Sequence, residues 1–298
     1  MGRNAPLFFA LLLLSTGCKS IVINAAAGAL SGGSGFASDD DPELVKDSLP
    51  FGLKTIEGLL GEAPENEKLL LAASSGFTQY GYAFIQQDAE RIEEKDPERS
   101  RELMSRSRKL YARARGYGMR GLDARHGKFS EKFAADRAAA VKQLGKDDVP
   151  QLYWTAVPWA AQISITKNDA NLLGDLPNVE ALMGRALELD ESWDHGAIHE
   201  FYVTYDGGRS EAIGGSVKRA KEHFDRALQL SEGKKMAPFL SWAEAVCVQQ
   251  QDKKAFLELV EKVLAFNTDE APQFRLVNLI AQDRARRLKA RVDDLFAE

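Results

Sequence analysis

The sequence predicts an all-α protein built from antiparallel helix pairs stacked as a solenoid. Three observations carry that prediction. First, Arg185-Ala186-Leu187-Glu188-Leu189-Asp190-Glu191 and Arg226-Ala227-Leu228-Gln229-Leu230-Ser231-Glu232 match each other, lie 41 residues apart and each close an amphipathic stretch. Second, Ala220, Phe224 and Ala227 recur at helical spacing, with Val179, Met183 and Ala186 one repeat earlier and Phe256, Val260 and Val263 one repeat later. At 3.6 residues per turn each trio shares one stripe, with small residues where a neighbouring helix must come close. Third, no period-two alternation bounded by hairpin dipeptides follows Asp41, so strand content should be near zero.

The A-x3-F-x2-A spacing of Ala220, Phe224 and Ala227 is that of the second helix of a tetratricopeptide (TPR) repeat. The step between the matching runs exceeds the usual period of about 34 residues, and Glu191 and Glu232 stand where a proline commonly ends the unit. The expectation is therefore a degenerate TPR-like solenoid over residues 39–298. Hydrophobic residues at 44% and charged ones at 28% suit such stacking, in which each pair buries its apolar face on the next. A net charge of −5 argues against nucleic-acid binding, which needs excess basic charge to displace counterions. Two cysteines, Cys18 and Cys247, give no disulfide framework.

In chain order, Arg3 precedes an apolar run from Leu7 to Leu14, followed by Ser15-Thr16-Gly17-Cys18. A helix of that run spans roughly 12 Å, too short for a hydrocarbon core of about 30 Å, so residues 1–17 read as a signal peptide. Residues 18–38 read as a flexible tether rich in Ala, Gly and Ser, although Ile21-Val22-Ile23 could start a short interfacial helix. Asp41 caps a helix with Pro42 at its first position, and Pro50 should kink or split it. A long helix from about Glu67 to Glu94 presents Ala73, Gly76, Tyr80 and Phe84 on one stripe. Pro97 starts a third, whose end Gly116, Gly118 and Gly121 should loosen. Ser130 to Leu144 and Asp148 to Ile165 form a pair, with Pro158 bending the latter. After the matching runs, a last helix runs from Gln273 to Phe296.

Candidate chemistry is sparse. Trp154 and Trp159 flank Pro158 and diverge by about 140° on an ideal helix, so one should be core while the other can line a groove or pore. Tyr202 and Tyr205 lie on an aromatic stretch with Trp193, His195 and His199, a fair pocket lining. The two histidines at i and i+4 could share a metal, but no third ligand is evident and the order is not H-E-x-x-H. A partly buried helix face is the simpler account. Cys247, among Ala245, Val246 and Val248, reads as a small buried hydrophobe. Arg284, Arg286, Arg287, Lys289 and Arg291 read as the solvated side of the last helix. Gly207-Gly208 and Gly214-Gly215 bracket a turn rather than a nucleotide-binding loop. No catalytic triad order, nucleophile elbow or metal-ligand spacing is visible, so no cofactor is expected and an enzyme is disfavoured.

Two resemblances sharpen this reading. Cys18 after a small residue at the end of the apolar run resembles a bacterial lipobox, although Ser15 departs from its usual aliphatic residue. That resemblance implies diacylation at Cys18, and Lys19 implies delivery to the outer membrane; ordinary secretion is the plainer alternative. Asp40-Asp41, Pro50 with Leu53-Lys54 and Glu57, and Pro64-Glu65-Asn66 before Leu69-Leu70 look like the start of TRAP-transporter-associated TatT proteins. Tyr153-Trp154 with Trp159, Leu176-Pro177, Gly214-Gly215 and Phe224-x2-Ala227-Leu228 continue the match. The resemblance implies a non-enzymatic periplasmic lipoprotein of degenerate TPR units, partnered with a TRAP-type solute-binding protein. It further implies a homotrimer and the passing of a small apolar or organic-anion ligand. Trp154, Trp159, Tyr202 and Tyr205 are the candidate ligand- or partner-facing residues. A generic outer-membrane TPR scaffold lipoprotein is the alternative.

Overall fold

The computed structural model describes residues 34–166 and 169–296, so the signal peptide, Cys18 and most of the tether lie outside the described residues. The described chain is helical, with no strand among the described residues. A short helix α1 (Ser34–Ala37) precedes α2 (Pro42–Glu62) and α3 (Glu67–Tyr80). The latter runs through a π-helical turn, Gly81–Gln86, into α4 (Gln87–Ile92). Next come α5 (Pro97–His126), α6 (Phe129–Ala135), α7 (Arg137–Lys142), α8 (Val149–Ser164), α9 (Ala170–Leu173), α10 (Leu176–Leu189), α11 (Ala197–Gly207) and α12 (Val217–Leu230). Then α13 (Ala237–Trp242) runs through a second π-helical turn, Ala243–Cys247, into α14 (Val248–Gln250). The chain ends with α15 (Lys253–Ala265), α16 (Arg275–Ala290) and α17 (Val292–Leu295).

Local chemistry starts these helices where the sequence places them. Asp41, Asn66, Asp96, Asp136 and Asp252 each accept the backbone N–H three residues on, at 2.9–3.0 Å. Such caps satisfy an orphan donor and contribute about 1 kcal/mol each. The three predicted stripes are buried: Val179, Met183 and Ala186; Ala220, Phe224 and Ala227; Phe256, Val260 and Val263. Successive long helices pack on one another, α3 on α5, α5 on α8, α8 on α10, α11 on α12 and α15 on α16.

Several local expectations change. Helix α2 runs unbroken past Pro50, because the loss of one hydrogen bond is offset by Val45, Leu53, Ile56 and Leu60 buried along the same face. Gly118 and Gly121 do not loosen α5, which continues to His126. They let α8 approach: a Cβ at Gly118 would sit 2.4 Å from Thr155 Oγ1, and one at Gly121 2.6 Å from the Gln151 amide. The segment from Ser130 to Leu144 is split in two, with Asp136 capping the second piece. The end of the tether is not free, since Phe36 packs into the first core.

The array also closes on itself. Leu276 of α16 is buried in the same core as residues of α2, α3 and α4, Val45 and Leu53 among them. Burial of a leucine of this kind contributes about 1.5–3 kcal/mol. Polar contacts follow the same seam: Arg91 to Asp283 (2.9 Å), Arg284 to Glu90 (3.1 Å), Arg287 to the Gln87 carbonyl (3.0 Å), Arg291 to Glu94 (3.0 Å) and Arg275 to the Ser38 carbonyl (3.1 Å). The last long helix is thus seated on the first ones.

Candidate functional site

Two π-helical turns lie on either side of Arg284. Each inserts an extra residue in a helical turn, a distortion that often accompanies function. The first carries Tyr82 and the second Glu244. Between them stands Arg284 of α16. Its Nε donates to both Glu244 carboxylate oxygens (3.1 and 2.9 Å), Nη2 donates to Glu244 Oε1 (2.8 Å) and Nη1 to Glu90 Oε2 (3.1 Å). Its guanidinium also lies 5.9 Å from the Tyr82 ring centroid. Burial alone would lower the Arg284 pKa, but the negative groups around it, Glu244 and Glu90 among them, hold it well above the usual value. Arg284 is therefore not on a solvated face, as its basic run suggested. Ring closure turns it inward, while Arg286 and Lys289 stay exposed.

Tyr82 is 46% exposed, yet charged groups from several other elements lie near enough to act on its phenol: Arg284, Glu244, Glu90 and Glu200. Arg284 would lower its pKa, while burial and the Glu244, Glu90 and Glu200 carboxylates raise it. Glu200 of α11, one of those groups, has a side chain 27% accessible. Tyr82, Tyr153 and Glu200, on three separate segments, thus face one another while staying partly accessible.

An aromatic wall continues this lining. The Tyr153 ring packs edge-on against Trp154 (5.1 Å) and tilted against Trp193 (4.6 Å). Burial raises the Tyr153 phenol well above its ordinary value, helped by Glu200, Asp194 and Tyr82. Trp193 and Asp194 sit on a tight turn in which Asp194 (φ 45°), His195 (φ 55°) and Gly196 (φ 87°) are all left-handed. Such backbone is strained at Asp194 and His195. Lys235 Nζ donates to the Asp194 carbonyl at 3.2 Å and lies 3.7 Å from its carboxylate.

The other candidates fall elsewhere. Trp159 is a core residue, 8% exposed; its Nε1–H donates to Asp175 (3.1 Å) and the Arg115 guanidinium covers its ring at 4.7 Å. On an ideal helix it lies about 140° from Trp154, and it is turned toward Asp175, just before α10, and Arg115 of α5. Tyr202 and Tyr205 pack among α10, α11 and α12. Tyr202 stacks on His223 (4.7 Å); Tyr205 donates to Glu180 and lies under Arg209 (3.7 Å). Two positions separate Tyr202 from Glu200, about 200° around a helix, so they occupy opposite faces. Burial and neighbouring carboxylates push Tyr202 up to about 12.

His195 and His199 do not converge either. His195 packs edge-on on Phe274 (4.9 Å), whereas His199 Nδ1 meets His223 Nδ1 at 2.8 Å and its Nε2 meets Glu191 at 3.2 Å. Cys247 is buried, and burial pushes its thiol up to about 11, away from nucleophilic use. Sequence reasoning missed Tyr82, Glu200, Glu244 and Arg284. None lies in a local motif, and they meet only through packing of distant helices.

With this geometry in view, comparison with known proteins is decisive for the family. The model of the TRAP transporter T-component family matches residues 38–296. The chain belongs to the TRAP transporter T-component family. It is also 29% identical over 267 residues to an uncharacterized protein of Treponema pallidum (strain Nichols), covering 88% of this chain and 83% of that one. This T-component is accordingly an accessory part of a TRAP transport system, and its family is not one of enzymes. Its all-α architecture agrees with the resemblance read from the sequence.

Proposed function

We propose that this T-component is anchored through acylated Cys18 on the periplasmic face of the outer membrane. There it docks a TRAP-type solute-binding protein and passes a small ligand through the enclosed space. One observation supports the reading most. Tyr82, Tyr153, Glu200, Glu244 and Arg284 come from five separate helical segments, yet lie near enough to act on one another electrostatically. Docking is reversible work for an outer surface, and ligand passage is work for the inner one; the two assignments do not compete.

The test is chemical crosslinking of the acylated protein in its own cells, followed by identification of what is attached. Recovery of a TRAP-type solute-binding protein is expected. Recovery of envelope-assembly proteins alone overturns the reading in favour of a scaffold. Metabolic labelling with an alkyne fatty acid checks the anchor: Cys18→Ala should lose the label. Mass measurement of the solubilised protein tests for a trimer.

A further inference from the structure

We infer that the interior holds a ligand bearing a protonated amine or quaternary ammonium group, seated at Glu200 against the aromatic wall of Tyr153, Trp154 and Trp193. The inference rests on the interior being a ligand space and deepens that reading by naming the ligand's chemistry. It departs from the organic anion or apolar molecule expected from the sequence.

The charges decide the matter. Arg284 is the cation an anionic ligand would seek, but its Nε, Nη1 and Nη2 already donate to Glu244 and Glu90. An incoming carboxylate would have to displace two resident ones. Lys235 is similarly engaged, with its ammonium shared between the Asp194 carbonyl, the Asp194 carboxylate and Glu200. Glu200 is the opposite case. It accepts no hydrogen bond among the described residues, and its nearest cation is Lys235 at 3.9 Å. Asp194, Glu200 and Lys235 together carry one uncompensated negative charge, which one cationic group would neutralise.

Aromatic geometry supplies the second argument. Tyr153, whose phenol feels both Glu200 and Asp194, contacts Trp154 on one side and Trp193 on another, and all three rings are partly accessible. Ring faces attract ammonium groups through their quadrupole, most strongly where water is thin, and aromatic walls with a carboxylate are the usual receptor for methylated ammonium. The rings would serve a purely apolar ligand as well, but an apolar ligand would leave Glu200 with no partner nearer than the Lys235 ammonium at 3.9 Å, which it shares with Asp194. The left-handed turn at Asp194 and His195 fits this role, since it holds Trp193 and Asp194 at the wall.

The experiment titrates the purified full chain with choline, followed by tryptophan fluorescence and calorimetry. Two comparators are its neutral isostere 3,3-dimethyl-1-butanol and the organic anion benzoate. Choline should bind saturably and about tenfold or more tighter than the isostere. Glu200→Gln and Tyr153→Leu should each weaken choline binding by about tenfold while circular dichroism stays native, and Glu200→Gln should not lower the melting temperature. Glu200→Gln should leave isostere binding unchanged, a result a merely structural role would not produce. No saturable choline binding overturns the inference, as does benzoate or the isostere binding as tightly as choline. Crosslinking to a solute-binding protein is read separately: its failure with choline binding intact would reject the docking function and keep this site.

Discussion

Replacement of Arg284 by methionine tests whether the array is a closed structure. Methionine keeps much of the side-chain length and removes the charge, leaving Glu244 and Glu90 facing each other without their shared partner. The size of the effect follows from accessibility. Arg284, Glu90 and Glu244 side chains are 19%, 27% and 28% accessible, well short of a surface pair yet not dry. Exposed pairs contribute about 0–1 kcal/mol, and breaking a buried one costs about 3–5 kcal/mol, so a loss of about 2–4 kcal/mol is expected. At about 2–4 °C per kcal/mol for a domain of this size, the melting temperature should fall by about 4–16 °C. Adding Glu244→Gln and Glu90→Gln to Arg284→Met should recover part of that loss, because no unpaired charge then remains. Hydrogen exchange locates the effect: amides of residues 275–290 and 81–92 should exchange faster in the single variant. A loss under about 1 kcal/mol, with exchange unchanged along this seam, would refute closure through Arg284.

Three further predictions concern stability and protonation. Gly118→Ala brings a Cβ to 2.4 Å from Thr155 Oγ1 and 3.0 Å from the Thr155 Cα, and should cost about 1–3 kcal/mol in denaturant titration; Gly116→Ala, with open space around it, should be neutral or slightly stabilising. His199 and His223 both have pKa values lowered by burial, their mutual repulsion when charged adding to His199, while Glu191, Asp206 and Glu222 oppose the shift without overcoming it. Their folded values lie below the unfolded 6.5, so the stability they contribute is full above 6.5 and is lost as pH falls through the folded values. The wild type should therefore melt lower as pH drops below 6.5, and a His199→Gln, His223→Gln double variant with the same acid slope would contradict this. Glu200 has its pKa raised by burial, so its contribution is full below the unfolded 4.5 and is lost as pH rises through the folded value. Glu200→Gln should accordingly melt at or above the wild type near neutral pH, and a lower melting temperature there would show that the carboxylate is structurally paired.

Local periodicity determined the helices and their buried faces. Stripes such as Ala220, Phe224 and Ala227 repeat every turn, and Asp or Asn caps act within three residues, so neither needs distant partners to be legible. Charge composition and motif spacing likewise bear on function class without reference to tertiary contacts. What the tertiary structure alone decided is the closure and the interior. Arg284 and Glu90 are 194 positions apart, and nothing in a basic run tells a solvated arginine from one turned inward by the seating of its helix. The π-helical turns that aim Tyr82 and Glu244 depend on packing rather than on propensity. Helix order is written in neighbours along the chain, whereas the charge balance of an enclosed space is a sum over segments that only folding brings together.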